Sequence, residues 1–228
     1  MRTIATIHSC YPEKFGIPRQ SGMVRSATAQ IIFESEFRNS DAIRGLEGFS
    51  HLWLIWIFSK NIRPNNATDW SPTVRPPRLG GNTRMGVFAT RSSFRPNPIG
   101  LSAVALDRIE IHPDKGPILH VSGIDLMDGT PLLDIKPYLP FSDSIPDARG
   151  GFTNATLTHH LKVCVNEDCH NILPSDQMET LIHTLELDPR PSYQDDPNRL
   201  YGFLFANWNI HFRVDGDLLQ ITSILPQS

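Results

Sequence analysis

Short runs in which apolar and polar residues alternate occupy most of the first 140 positions. Thr3 to Ser9 reads as an opening strand anchored by Ile4 and Ile7, and Ala29 to Phe33 as a second. His51 to Ser59, HLWLIWIFS, is rich in aromatic and branched residues and reads as a central strand. At period two, Trp53 and Trp56 fall on opposite faces, so one of them is not simply core unless both faces are buried. Met85 to Thr90, Leu101 to Ile111, Pro117 to Ile124 and Pro131 to Tyr138 continue the series. Ser40-Asp41 has the chemistry of a helix N-cap ahead of AIRGLEG, a helix kept short by Gly45 and Gly48. Roughly seven short strands with little helix predict a mainly β fold, an antiparallel barrel or sandwich over residues 1 to about 140.

Turn chemistry separates these runs. Residues 11–22, YPEKFGIPRQSG, form a loop in which Phe15 and Ile17 are apolar enough to pack down. Residues 60–72 form another, around Pro64-Asn65-Asn66. HPDKG at 112–116 reads as a hairpin turn, and so does Asp128-Gly129 within DLMDGTP at 125–131.

The pattern changes after FSDSIPDARGG, residues 141–151, which reads as a linker. Leu157 to Val165 predicts a strand. Ser175 to Leu187 predicts a helix, with Ser175 as N-cap and Met178, Leu181, Ile182 and Leu185 on one face. Tyr201 to Val214 and Leu218 to Ile224 predict a hairpin around Asp215-Gly216-Asp217. Two units follow: residues 1–145 as the β domain and 146–228 as a small α+β C-terminal domain.

Composition narrows the class. At 228 residues, 39% hydrophobic and 20% charged, the chain has the make-up of an ordinary globular protein. The N-terminus MRTIATIHSC lacks the apolar segment of a signal peptide, and the longest apolar run is far too short to span a bilayer. Three cysteines, Cys10, Cys164 and Cys169, suit a reducing cytoplasm better than a disulfide scaffold.

Charge singles out one stretch. The net charge is only -3, yet no Asp or Glu occurs from Trp70 to Leu106, where Arg75, Arg78, Arg84, Arg91 and Arg95 lie. Five cations without a local counter-charge suit an anionic ligand, phosphates first. Prolines and glycines between them argue for a shaped loop rather than a solvated charge run. Other chemistry is thin. Cys164, Cys169 and His170 lack a fourth ligand at zinc spacing, so no metal site is expected. No Walker sequence, no G-x-G-x-x-G and no G-x-S-x-G occurs, which argues against a Rossmann nucleotide site or a hydrolase elbow.

Four segments taken together resemble a known family. EKFGIPRQ (13–20), RGLEGFSHLWLIWIF (44–58), VRPPRLGGNTRMGVFATRSSFRPNPIGLS (75–102) and DLMDGTPLLDIKPYLP (125–140) are similar, in order, to the TsaA-like family, closest to its bacterial TrmO-type branch. DPRPSY (188–193) and the tail from Tyr201 resemble that branch's C-terminal domain more loosely. The resemblance implies a small antiparallel β-barrel binding S-adenosyl-L-methionine. It also implies methylation of N6 of threonylcarbamoyladenosine beside the anticodon of threonine tRNA, and a homodimer with cofactor sites near the subunit contact.

Matching motifs place the cofactor at Pro18, Arg19 and Gln20, at Ser59 and Lys60, at Arg91 and Leu101, and at Asp128, Gly129, Thr130 and Pro131. Position 59 departs from relatives that carry His there; a backbone contact survives that change and a side-chain contact does not. Asp125 and Asp134 are the carboxylates, and Tyr138 the hydroxyl, that could accept the proton N6 loses. Arg75, Arg78, Arg84 and Arg95, with Lys136, can neutralise phosphates of the anticodon loop. The competing readings are a non-catalytic RNA-binding β-barrel module, and a cofactor-dependent enzyme acting on a small molecule. Intact PRQ and DGTP segments favour the methyltransferase.

Overall fold

A computed structural model of the chain describes residues 1–61, 70–156, 159–191 and 194–227. Its first half is a closed six-stranded barrel. β1 (Ala5–Ser9), β2 (Thr28–Phe33), β3 (His51–Ile57), β6 (Ile99–His112), β7 (Gly116–Ser122) and β8 (Thr130–Pro137) close it in the order β1-β2-β7-β6-β3-β8. Every pairing is antiparallel. The period-two alternation explains the interior: Ile7, Ile31, Leu52, Leu54, Val104, Leu119, Val121 and Leu132 are all at most 1% exposed. Burying one such aliphatic side chain contributes roughly 1.5–3 kcal/mol. Closure leaves no free sheet edge, the usual liability of an antiparallel sheet.

The two tryptophans of β3 do fall on opposite faces. Trp56 points inward and is 8% exposed. Trp53 is half-buried outside, where its indole N–H donates to the Asp143 carboxylate at 2.8 Å. The same Asp143 oxygen accepts from the Leu139 backbone N–H at 2.9 Å, so the short helix α1 (Pro140–Asp143) is strapped onto the barrel wall.

Three local expectations are corrected. AIRGLEG forms no α-helix but two 3-10 turns, Ser40–Ile43 and Leu46–Gly48; Gly45 between them has φ 87°. Asn39, not Ser40, supplies the cap by accepting from the Asp41 N–H. Met85 to Thr90 is not a strand. Only Met85–Gly86 (β5) pairs, with Thr73–Val74 (β4), and Val87–Ala89 turns as a 3-10 helix. Asp128-Gly129 is a turn but not a hairpin, because β7 and β8 are not neighbours. The chain leaves β7 and crosses the barrel end through buried Ile124 and Leu126. Backbone bonds from Asp128 N to Tyr11 O and from Gly129 N to Ile7 O then hand it to β8 beside β1.

Beyond the linker, β10 (Tyr201–Phe205), β11 (Trp208–Asp215), β12 (Leu218–Pro226) and β9 (Lys162–Val165) form a second sheet in that order, with β9 parallel to β12. The expected two-stranded hairpin is thus three strands, broken at Ala206 (φ 51°). The predicted strand start at Leu157 falls outside the described residues. Helix α2 (Ser175–Glu186) begins after Pro174 without a side-chain cap, and buries Thr180 and Thr184 beside Leu181 and Leu185. No helix among the described residues is long and apolar enough to cross a membrane.

Barrel and C-terminal sheet share one core. The first loop lies between them. Its Phe15 packs on Phe203 and Phe212, and Tyr11 contacts Phe205. The Tyr11 hydroxyl meets the Thr184 hydroxyl of α2 at 2.9 Å, and Glu13 accepts from the Leu204 N–H at 2.7 Å. Phe15 and Ile17 pack down as their apolar character required.

Candidate active site

A cleft of about 510 Å³ opens at one end of the barrel, a size ordinary for cofactor sites. Four chain segments converge on it. The first loop contributes Ile17, Pro18, Arg19 and Gln20. The end of β3 and the 3-10 turn after it contribute Trp56, Phe58, Ser59 and Lys60. The excursion between β3 and β6 brings Thr90, Arg91 and Arg95, followed by Gly100 and Leu101 on β6. The crossover between β7 and β8 brings Asp125, Met127 and Thr130. Residues more than 100 positions apart meet because the crossover must run over the same barrel end as the first loop.

Cations dominate the rim. The Arg91 guanidinium donates to the Gln20 side-chain carbonyl. Arg95 is half-buried and donates to the Thr90 carbonyl at 3.3 Å. Arg19 reaches away from the barrel and donates to the carbonyls of Asp188 and Arg190, both at 3.3 Å. Those carbonyls belong to the DPRPSY segment, whose Ser192 and Tyr193 lie outside the described residues. Asp188 and Arg190 there form a buried ion pair of 2.9 Å, with His159 at 3.1 Å from the other carboxylate oxygen. Burial alone would raise the Asp188 carboxyl; hydrogen bonds from Arg190 and His159 overcome that and hold it below the usual carboxylate range.

Asp125 is the one carboxylate among the described lining residues. Burial pushes its carboxyl up to about 6, against hydrogen bonds from the Ser102 hydroxyl and from the backbone of Asp125 and Ser21, and against the charge of Arg91. Ser102 donates to it at 2.6 Å. A carboxyl of that strength is half-ionised at about pH 6 and mostly ionised at neutrality, which suits a proton acceptor. The cleft therefore offers guanidinium and amide donors for a carboxylate, an aromatic wall, and one carboxylate at its floor. That donor set fits an amino-acid-bearing sulfonium cofactor.

The structure gathers most, but not all, of the sequence-derived positions. Pro18, Arg19, Gln20, Ser59, Lys60, Arg91, Leu101 and Thr130 share the cleft with Asp125 and Arg95. Gly129 and Pro131 flank Thr130 in sequence without lining it. Asp128 faces the end of β1, where it accepts from the Ser9 N–H at 3.1 Å and lies 3.3 Å from His8. Asp134 and Lys136 pair with each other at 3.0 Å on β8, and Tyr138 packs by Trp53 and His51, all three outside the cleft lining. Arg75 and Arg84 are exposed. Arg78 stands in the turn Pro77–Leu79, and its side chain lies outside the described residues. Cys164 is exposed and Cys169 buried, and no cluster of three metal-ligating side chains exists among the described residues.

Ser102 and Trp56 were not singled out by the sequence for this site. A signal was present: Ser102 is an inward position of an otherwise apolar strand, LSAVAL, where period two calls for a hydrophobic residue.

Comparison with known proteins agrees with the geometry. The model of the tRNA-methyltransferase O N-terminal domain matches residues 6–144, and that of the TrmO C-terminal domain matches residues 158–227. A tRNA (adenine(37)-N6)-methyltransferase of Escherichia coli K12 is 40% identical over 98% of this chain and 97% of its own length. A human protein of the same name is 40% identical over 62% of this chain and 30% of its own length. A crystal structure of TrmO from Pseudomonas aeruginosa superposes with a TM-score of 0.79 at 33% identity, covering 98% of this chain and 95% of the other. With both of its domain models matched in order and a full-length relative at this identity, the chain belongs to the tRNA-methyltransferase O family.

Proposed function

We propose that this chain is an S-adenosylmethionine-dependent tRNA methyltransferase that methylates N6 of adenine 37, the base beside the anticodon, and that its substrate is threonylcarbamoyladenosine in threonine tRNA. Relatives named for that reaction, one of them matched over 98% of this chain, support the activity. A Pseudomonas aeruginosa relative, RcsF, whose name places it among S-adenosylmethionine-dependent methyltransferases, supports the cofactor. The observation that carries the reading is Asp125, a half-buried carboxylate that accepts the Ser102 hydroxyl at 2.6 Å in a cleft whose other described charged lining residues are cations.

Bound S-adenosylmethionine supplies a methyl group on a cationic sulfur. Arg91, held by Gln20, is placed to bind its carboxylate. Trp56, Phe58 and Ile17 exclude water from the transfer line, and Trp56 offers an aromatic face to positive charge. Holding both reactants in line is the larger part of the catalysis, about 7–11 kcal/mol when well oriented. N6 of the substrate carries an acyl substituent, so its lone pair is delocalised and its proton acidic. Asp125 accepts that proton as the nitrogen–methyl bond forms, and the electron pair of the broken carbon–sulfur bond stays on sulfur. The anticodon loop is single-stranded already, so presenting the base costs little unstacking. Exposed Arg75 and Arg84 form the RNA-facing edge, with Arg78 and Arg95 in the same stretch.

Phe88, Phe94 and Leu101 are 72%, 60% and 48% exposed, an apolar rim that a second copy can cover in a homodimer. A cytoplasmic location follows from a tRNA substrate. A non-catalytic RNA-binding barrel has no use for a half-buried carboxylate inside a basic cleft. Mass spectrometry of threonine tRNA nucleosides after incubation with protein and methyl donor tests the reading. A gain of one methyl on threonylcarbamoyladenosine is expected, and no gain despite cofactor binding would sink the substrate assignment. Light scattering tests the dimer, which a monomer at micromolar concentration would overturn.

A further inference from the structure

We propose that Ser102 is a positioning residue for Asp125, and that Trp56 aims its hydroxyl. Asp125 as proton acceptor belongs to the function proposed above, and the role of Ser102 rests on that reading.

Ser102 lies on β6 directly opposite Leu54 of β3, is 1% exposed, and is the inward polar residue of its strand. Its oxygen accepts the indole N–H of Trp56 at 3.0 Å and its proton goes to Asp125 at 2.6 Å. An indole N–H can only donate, and a serine has one proton to give. With Trp56 occupying the acceptor side, the hydroxyl proton is left for the carboxylate. The indole is itself fixed. It pairs across the strands with Gly100, where a Cβ would lie 2.2 Å from the ring, and Phe58 tilts against it at 4.2 Å.

The consequence is chemical. The Ser102 bond fixes the orientation of the Asp125 carboxylate, and with it the direction of the lone pairs that can receive the substrate proton. The hydroxyl also stabilises the ionised form, offsetting part of the burial that raises Asp125. Without it, a smaller fraction of Asp125 would be ionised at the pH where it must act as a base. Other groups near Asp125 act on it too. They are Arg91 on the excursion and Tyr11 on the first loop; Lys14, Arg19, Lys60 and Arg95 line the same cleft. None of these charged groups is altered by a substitution at Ser102, so a shift seen there reports the loss of the hydroxyl and of its bond from Trp56.

The test is Ser102→Ala, read first by the carboxyl carbon-13 titration of Asp125 and then by the pH–rate profile for methyl transfer to threonine tRNA. The titration midpoint should rise by about 1 pH unit, the size expected for losing a hydrogen bond to a charged acceptor. The acid limb of the profile should move up with it. kcat should fall about twofold at pH 7 and about tenfold at pH 5, as the ionised fraction of Asp125 does when its midpoint rises by one unit, while cofactor affinity by calorimetry changes less than about threefold. Ser102→Thr should restore the midpoint. An unchanged midpoint and acid limb would overturn the assignment. Should Ser102→Ala fail to fold, Trp56→Phe removes the donor that aims the hydroxyl and should raise the midpoint in the same direction; no change there also overturns it. A midpoint that rises while the wild type transfers no methyl group would instead count against the proposed reaction and leave the Ser102–Asp125 coupling standing.

Discussion

Asp125→Asn should make the protein more stable at neutral pH while removing its proton acceptor. Asp125 titrates near 6 in the folded protein and near 3.8 as an ordinary carboxyl. A raised folded value means that the native state binds the proton more tightly than the unfolded chain. The contribution of Asp125 to stability is thus fully present below about pH 3.8 and is lost as pH rises through 6. Above pH 7 the ionised group costs about 3 kcal/mol relative to a protonated one. Asparagine carries no charge at any pH, and its carbonyl can still accept the Ser102 hydroxyl. Allowing for relaxation, the gain should be about 1–3 kcal/mol at pH 8, or roughly 3–10 °C in Tm for a chain of this size. Thermal unfolding of both proteins at pH 8, 6 and 4.5 is the assay. The difference should be largest at pH 8 and shrink toward pH 4.5. A variant no more stable than wild type at pH 8, or a difference independent of pH, would refute the reasoning that burial raises this carboxyl. In parallel, the wild-type rate should climb with pH through a midpoint of about 6 to a plateau at higher pH, and the variant should lose that acid limb together with roughly 10²–10⁴-fold in kcat.

Arg91→Ala should weaken cofactor binding by about tenfold or more, because a charge-assisted hydrogen bond of about 1.5–3 kcal/mol is lost; unchanged affinity by calorimetry would count against the assignment. Gly100→Ala should displace Trp56, since the added Cβ would lie 2.2 Å from its ring, and cost about 1–3 kcal/mol of stability along with cofactor affinity; urea melts and calorimetry read both. Arg84→Ala should reduce tRNA affinity chiefly at low salt and flatten the slope of log K against log salt by about one phosphate contact; an identical slope would show that it meets no phosphate. Arg19→Ala removes two donations to the Asp188 and Arg190 carbonyls, so hydrogen exchange should quicken in both the first loop and residues 188–191. Quickening in the first loop alone would show that the two segments are not coupled.

Much of the barrel was legible in local pattern. β1, β2, β3, β6, β7 and β8 all fall within a few residues of their expected spans, because period-two alternation is what a one-sided strand requires. Met85 to Thr90 misled because Val87 and Phe88 alternate in a stretch that has no partner strand beyond Gly86. Asp128-Gly129 misled for a different reason: a turn dipeptide reports local backbone geometry and not which strands it joins. The long ordered motifs, not periodicity, pointed to the cofactor loops, and most of their residues converge on one cleft.

The sequence by itself determined the strand set, the acid-free arginine stretch and the family, since each is written in contiguous residues. Only the tertiary structure decided which carboxylate enters the cleft. Asp125 and Asp128 lie in one turn-rich segment and Asp134 within the strand that follows, and nothing in the local sequence ranks the three. The crossover places Asp125 at the cleft floor against Ser102, turns Asp128 toward His8, and leaves Asp134 paired with Lys136. Burial and hydrogen-bond partners set the strength of an acid, and both come from residues distant in the chain.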